Sequence, residues 1–220
     1  VLRKGISFLE GTEREVQTID TLLRNKQIPV ALMSGMAGTE ESFKQLSGQS
    51  ITLLHVATHG FYSPLTGHYT AQRSFEEQAL SRSGLFLSGA AASLNMKKIP
   101  EDIEDGILTA KELSKLDLSN LNLAILSACQ TGLGEIVGDG VFGLQRGFKK
   151  AGAQTLLMSL WKVDDTATQL LMAEFYKNLV SGQNKRAAFL NAQKYLRSYQ
   201  NGIYDKPEYW AAFIMLDGIH

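Results

Sequence analysis

The sequence predicts an α/β fold in which helices cover both faces of a mainly parallel sheet. Short segments that are apolar almost throughout recur along the chain, as expected of strands buried on both faces. Longer segments with helical apolar spacing lie between them. With 220 residues, 44% of them hydrophobic and 20% charged, the chain has the balance of one globular domain. Strands that alternate with helices favour a parallel sheet between two helical layers.

Seven segments fit buried or half-buried strands. Most of them are rich in Leu, Ile, Val and Met, and each has the length of an ordinary strand rather than of a helix. The predicted strands are residues 6–9, 28–33, 51–57, 84–88, 121–127, 154–161 and 210–216.

Helix signals lie between these strands. A capping box, in which a Thr and a Glu three residues later cap each other's backbone amides, occurs at Thr12 and again at Thr109. The other helices are predicted from capping residues or from apolar residues that share one face, and glycines such as Gly182 end the runs. The expected helices begin at Thr12, Thr39, Thr109, about Val141, Asp164 or Asp165, and Asn184.

Residues 61–105 break this rhythm, with a Ser-Pro pair, scattered small residues and one convincing strand. A long irregular stretch inside a compact domain is typical of a functional or mobile segment.

The composition excludes several classes of function. Lys and Arg together number 22, as do Asp and Glu, so no basic excess suggests a nucleic-acid partner. No apolar run has the length of a membrane-spanning helix, and no basic amphipathic run suggests membrane binding. Cys129 is the single cysteine, which indicates a reducing compartment, and the N-terminus has no signal-peptide pattern. These features predict a cytoplasmic protein.

Two chemically capable side chains follow predicted strands. His59 comes just after strand 51–57 and Cys129 just after strand 121–127, and sites in open α/β sheets form outside the carboxyl ends of strands. Taken singly, a lone cysteine there is more often a small buried hydrophobe, and His55 inside its strand is more simply a hydrogen-bonded core residue. Together, His59 and Cys129 make a plausible base and nucleophile.

The chemistry explains why both are needed. A free thiol is mostly protonated near neutral pH, and a neighbouring imidazole favours the thiolate, which can attack a peptide carbonyl. The backbone amides of Gly60 and Cys129 are the natural donors for the oxyanion.

Other active-site patterns fit poorly. Residues 138–143 match the spacing G-x-G-x-x-G, but a dinucleotide fingerprint needs its first glycine at the strand end, and about ten residues intervene here. A phosphatase loop would need an arginine where Glu135 stands. The chain has no nucleophile elbow, no Walker lysine and no zinc-type Cys/His spacing, so no cofactor and no metal are expected.

The segments Ala-Thr-His-Gly at 57–60 and Leu-Ser-Ala-Cys-Gln-Thr-Gly at 126–132 closely resemble the CHAT family of caspase-like and separase-like cysteine peptidases. The resemblance extends in order over most of the chain. The further matching segments are 83–90, 105–110, 140–144, 151–153, 159–165 and 175–176.

This resemblance implies a caspase-like three-layer α/β/α sandwich with His59 and Cys129 as a catalytic dyad. It also implies that residues 1–220 form one peptidase domain, the C-terminal part of a longer bacterial protein. Such domains often follow tetratricopeptide (TPR) repeats, which regulate the protease. The expected partner is a protein or peptide substrate, often encoded by a neighbouring gene.

Substrate specificity is left open by the sequence. Caspases have glycine two residues after the cysteine, whereas here Gly132 lies one residue later, so their preference for acidic residues does not transfer. In the related separases an acidic residue in the equivalent of segment 161–165 binds a basic side chain before the cut. Asp164 or Asp165 could do so here, and an N-cap for the following helix is an equally good interpretation. The alternative function is a catalytically silent or conditional CHAT module for interaction or regulation.

Overall fold

A computed structural model describes residues 10–63, 75–95, 104–127, 134–137 and 140–217. Nine helices are found in this part of the chain: α1 (Glu10–Asn25), α2 (Glu40–Lys44), α3 (Phe75–Leu80), α4 (Ala90–Asn95), α5 (Ala110–Leu113), α6 (Leu144–Ala151), α7 (Asp165–Val180), α8 (Lys185–Ser198) and α9 (Pro207–Trp210). The strands within the same ranges are β1 (Leu53–Val56), β2 (His59–Tyr62), β3 (Ser83–Phe86), β4 (Ile107–Thr109), β5 (Leu123–Leu126), β6 (Gly134–Val137), β7 (Gly140–Gly143), β8 (Thr155–Ser159) and β9 (Phe213–Asp217). Short 3-10 turns occupy Gly35–Ala37 and Tyr199–Asn201.

The central sheet has the strand order β1-β5-β8-β9. Strand β5 pairs in parallel with both β1 and β8, and β9 adds an antiparallel edge. Leu123–Leu126 and Thr155–Ser159 are buried at every position, which fits strands covered on both faces. The predicted mainly parallel sheet is therefore confirmed.

Alternate residues of the sheet enter two separate hydrophobic cores, because successive side chains of a strand point to opposite faces. Ile125 and Leu157 pack with residues of α1, α7 and α8. Leu126 and Met158 pack with residues of α2, α5 and α6 and with strands β3 and β4. This arrangement confirms the three-layer α/β/α sandwich.

A second sheet, β2-β3-β4, is antiparallel throughout, and β6 and β7 form a separate hairpin. The ring of Phe61 on β2 lies over Gly84, its partner on β3, and an added Cβ at Gly84 would come within 2.6 Å of that ring. Strands β2, β4, β6 and β7 were not predicted, because none of them lies in a long apolar run and none carries a clear alternation of apolar and polar residues.

The predicted strand at residues 28–33 is wrong. That segment has no regular structure, and Ile28, Leu32 and Met33 are 40%, 41% and 47% exposed. An apolar run indicates a buried strand only when neighbouring strands and helices cover it, which does not happen here. The strands predicted at 51–57, 121–127 and 154–161 are confirmed with shorter bounds. Those predicted at 84–88 and 210–216 are confirmed with shifted bounds, and 6–9 lies outside the described residues.

Most predicted helix starts are confirmed by capping hydrogen bonds. Thr109 and Glu112 form the complete capping box, and the side chains of Thr39 and Asn184 each accept a bond from an amide three residues later. Thr12 is an exception, since α1 begins at Glu10 and Thr12 lies inside its first turn. The expected start near Val141 is also wrong, because that residue belongs to β7 and α6 begins after it.

The stretch 61–105 is less irregular than its sequence suggests. It contains the end of β2, the helices α3 and α4, and β3. These elements are short, so the small residues in the stretch obscured them.

Replacement of Phe175 by Ala should lower the free energy of unfolding by about 3–5 kcal/mol, because the side chain is fully buried between the sheet and α8. The matched control is Leu190→Ala on α8, where the side chain is 49% exposed, with an expected change within about 0.5 kcal/mol. Urea denaturation of both variants measures the difference, and equal losses would contradict the assigned core.

Asp164→Ala should lower the free energy of unfolding by about 1 kcal/mol, because the Asp164 carboxylate accepts a hydrogen bond from the amide of Ala167 at 2.9 Å. Asp164→Asn keeps a capping oxygen and should remain close to the parent protein. Thermal or urea denaturation tests the pair, and a loss of equal size in both variants would argue against the capping role.

Candidate functional site

A small pocket lies at the carboxyl ends of the parallel strands. Thr58 and Ser127 follow β1 and β5, and Ser159 ends β8. The first turns of α1 and α7 complete its wall. The remaining lining residues are Gly11, Thr12, Glu15, Val163, Asp165, Thr168 and Phe213. The pocket therefore occupies the edge of the sheet at which α/β folds place their sites.

His59 follows Thr58, a lining residue of this pocket, and is not itself one of the lining residues. It is the first residue of β2, is half-buried and pairs with Phe86 on β3, so it begins a strand of the second sheet. The Thr58 hydroxyl donates a hydrogen bond to the carbonyl of Phe86, which ties the turn between β1 and β2 to β3. Gly60 follows within β2, opposite Leu85.

Cys129 lies outside the described residues, and so does its amide, which was predicted to serve the oxyanion hole. The structure describes the approach to it. Ser127, two residues earlier, extends the parallel ladder, because its amide donates to the carbonyl of Val56 at 2.9 Å. The segments that lead to His59 and Cys129 therefore leave neighbouring strands at the same edge of the sheet.

The two aspartates have different surroundings. Asp164 is the N-cap of α7, and its carboxylate accepts the amide hydrogen of Ala167. Asp165, the first residue of that helix, lines the pocket. It packs against the first turn of α1 so closely that a Cβ added at Gly11 would lie 2.7 Å from the Asp165 Cβ. Only Asp165 of this pair lines the pocket.

A buried polar network lies beside the pocket and was not predicted as part of the site. Glu15 on α1 is 3% exposed. One of its carboxylate oxygens lies 2.9 Å from Nε2 of His55, and the other accepts a 2.8 Å hydrogen bond from the Ser127 hydroxyl. Nδ1 of His55 lies 3.0 Å from the hydroxyl of Tyr176 on α7. The expectation that His55 is a hydrogen-bonded core residue is confirmed.

The sequence carries a signal for this network. Glu15 stands on the same helical face as Ile19 and Leu23, where an apolar side chain is expected. A carboxylate at such a position needs buried donors. The interpretation of Glu15 as half of a capping box hid this conflict.

The Glu15 carboxylate constrains the direction of these hydrogen bonds, because a carboxylate can only accept them. Burial and the nearby Glu15 carboxylate raise the pKa of Tyr176 far above its usual range, so the phenol stays protonated. In the neutral histidine tautomer that fits both contacts, the Tyr176 hydroxyl donates to Nδ1 and the Nε2 hydrogen of His55 donates to Glu15. The carboxylate then receives donors from two adjacent strands.

A second group of acids surrounds Lys44, on the other side of the sheet. The Lys44 ammonium lies 2.8 Å from Glu40, 2.7 Å from Glu104 and 3.4 Å from Glu112. Although burial opposes the charged form, hydrogen bonds to Glu104 and Glu40 raise the pKa of Lys44. The lysine occupies the place that a cation would take, so this group serves as an ion-pair cluster that joins α2 to the region of β4 and α5.

Among the helices of the described ranges, none combines the length and the apolar character that crossing a membrane requires.

Comparison with known proteins identifies the family. The model of the CHAT domain matches residues 3–218. Tetratricopeptide repeat protein 28 of Mus musculus is 34% identical over 110 residues, which are 50% of this chain and 4% of that protein. Its human counterpart is 32% identical over 114 residues, 52% of this chain and 4% of its own length, so the chain spans only a small part of these relatives. The resemblance noted in the sequence is confirmed, and this chain belongs to the CHAT domain family.

Proposed function

We propose that this CHAT domain is a cysteine endopeptidase with His59 and Cys129 as its catalytic dyad. The observation that supports the proposal most is the parallel pairing of β1 and β5. His59 is the third residue after the end of β1, and Cys129 is the third residue after the end of β5. In the sequence, both residues therefore follow the ends of adjacent strands, which suits a base and its nucleophile.

In the proposed reaction, the His59 imidazole takes the proton of the Cys129 thiol. The thiolate then attacks a peptide carbonyl, while the amides of Gly60 and Cys129 donate hydrogen bonds to the oxyanion. Collapse of this intermediate breaks the C–N bond, and the imidazolium returns the proton to the leaving amine. Water, deprotonated by His59, releases the acyl group and regenerates the thiol.

The lining of the pocket supports recognition of a basic side chain before the cut. It carries two carboxylates, from Asp165 and Glu15, and hydroxyls from five Ser and Thr residues, and none of its lining residues is basic. A Lys or Arg side chain would supply a positive charge beside Asp165, since both oxygens of Glu15 already have partners in His55 and Ser127. Asp165 is the proposed contact, and Asp164 supports it by capping the same helix turn.

The family and its relatives suggest the setting of this activity. Both matched relatives are named for tetratricopeptide repeats. We place the domain under the control of a TPR region or a partner, in the cytoplasm, where its single thiol would stay reduced. The proposed substrate is a specific protein, encoded by a neighbouring gene.

Cys129→Ala, Cys129→Ser and His59→Ala should each reduce cleavage by about a thousandfold or more, because the nucleophile and its base act as one unit. Proteome-wide mapping of new N-termini, with the parent protein and the Cys129→Ala variant side by side, identifies true cleavage sites. Cleavage that persists in Cys129→Ala would exclude the dyad. A parent protein that cleaves nothing but still binds a partner would favour the regulatory module instead.

Asp165→Asn should reduce kcat/KM for peptides with Arg before the cut by about tenfold or more, and much less for peptides with citrulline, its uncharged isostere. Asp164→Asn is the matched control, since it removes the same charge from the adjacent residue but keeps an oxygen that caps the helix. Equal effects of the two variants, or a parent protein that prefers citrulline, would remove Asp165 as the determinant of specificity.

A further inference from the structure

Glu15 links the two strands that lead to the proposed dyad. Its carboxylate contacts His55 on β1 with one oxygen and Ser127 after β5 with the other, at 2.9 and 2.8 Å. This bridge runs alongside the ladder bond between the Ser127 amide and the Val56 carbonyl. The ends of the two strands are therefore held together both by a main-chain hydrogen bond and by side-chain contacts.

The residues that Glu15 bridges lie close in sequence to the proposed dyad. Ser127 lies two residues before Cys129, and His55 lies four residues before His59. A displacement of either segment changes the distance between thiol and imidazole, and an error of about 1 Å in such a geometry can cost a hundredfold in rate.

Fold stability alone is a weak explanation for a buried carboxylate at position 15. Burial of an ionised carboxylate is expensive, and apolar residues of similar volume commonly stabilise a core better. Glu15 is 3% exposed, and Ile19 one turn later on the same face is an ordinary core residue. What a carboxylate adds is a pair of directional acceptors, which an apolar side chain cannot offer.

Tyr176 completes the arrangement from the opposite side of His55. Its hydroxyl, 3.0 Å from Nδ1, fixes the ring so that Nε2 faces Glu15. Helices α1 and α7 are thereby joined through a histidine of the sheet, and both helices also line the pocket.

We infer that Glu15 is a positioning residue of the active site, which sets the separation of His59 and Cys129 through His55 and Ser127. The inference rests on the proposed cysteine peptidase function.

The single cysteine of this chain makes the inference measurable without a substrate. The rate of alkylation of Cys129 by iodoacetamide, followed against pH, reports the thiolate fraction and hence its pairing with His59. Glu15→Gln should raise the midpoint of that profile by about one pH unit, which slows the reaction by up to about tenfold at pH values below the midpoint. Loss of a nearby negative charge would by itself lower the midpoint. The direction of the shift therefore distinguishes a change in the position of the thiol from a purely electrostatic effect.

Two further variants complete the design. Glu13→Gln makes the same charge change on an exposed position of α1 and should match the parent protein. Ser127→Ala removes one hydrogen bond and keeps the Glu15–His55 contact, so it should shift the midpoint upward by less than Glu15→Gln. It also decides the question if circular dichroism shows that Glu15→Gln does not fold.

The His59→Ala profile separates failure of this inference from failure of the proposed dyad. An upward shift in His59→Ala with parent-like profiles in Glu15→Gln and Ser127→Ala would overturn the positioning role and leave the dyad standing. A lower midpoint in Glu15→Gln would also overturn it, in favour of a purely electrostatic effect. A His59→Ala profile identical to that of the parent would refute the dyad itself.

Discussion

The parallel ladder between β1 and β5 is the constraint on which the rest of the site depends. It places Leu53–Val56 beside Leu123–Leu126 with both carboxyl ends at one edge, although some 70 residues separate the two strands along the chain. Parallel neighbours require a long crossover, and here the crossover contains the whole second sheet. Thr58 and Ser127, from two distant segments, therefore line one pocket because one hydrogen-bonded register holds their strands together.

Helices α1 and α7 add further side chains to the pocket at that edge. Their N-terminal parts reach the strand ends and bring Glu15 and Asp165 to the pocket, while Asp164 caps the second helix. Hydrophobic packing of α1 and α7 on one face of the sheet supplies the stability that burial of a carboxylate costs. The packing of α1 and α7 on the sheet therefore forms both the apolar core and the polar network.

The errors of prediction have physical causes. Residues 28–33 have the apolar composition of a strand, but tertiary structure leaves Ile28, Leu32 and Met33 substantially exposed. Strand β2, which begins at His59, exists because β3 lies beside it, and four residues give too little pattern to reveal that pairing. Short antiparallel strands depend on partners distant in sequence, and local spacing does not name those partners.

The sequence by itself determined the alternation of strands and helices, the caps at Thr109 and Asn184, and the family, since these depend on local spacing and on ordered motifs. It also indicated His59 and Cys129 as residues that follow strand ends. Only the tertiary structure decided that Asp165 rather than Asp164 lines the pocket, and that Glu15 bridges His55 and Ser127. Those contacts join residues from four separate elements, and the register and packing that bring them together are not encoded in any one segment.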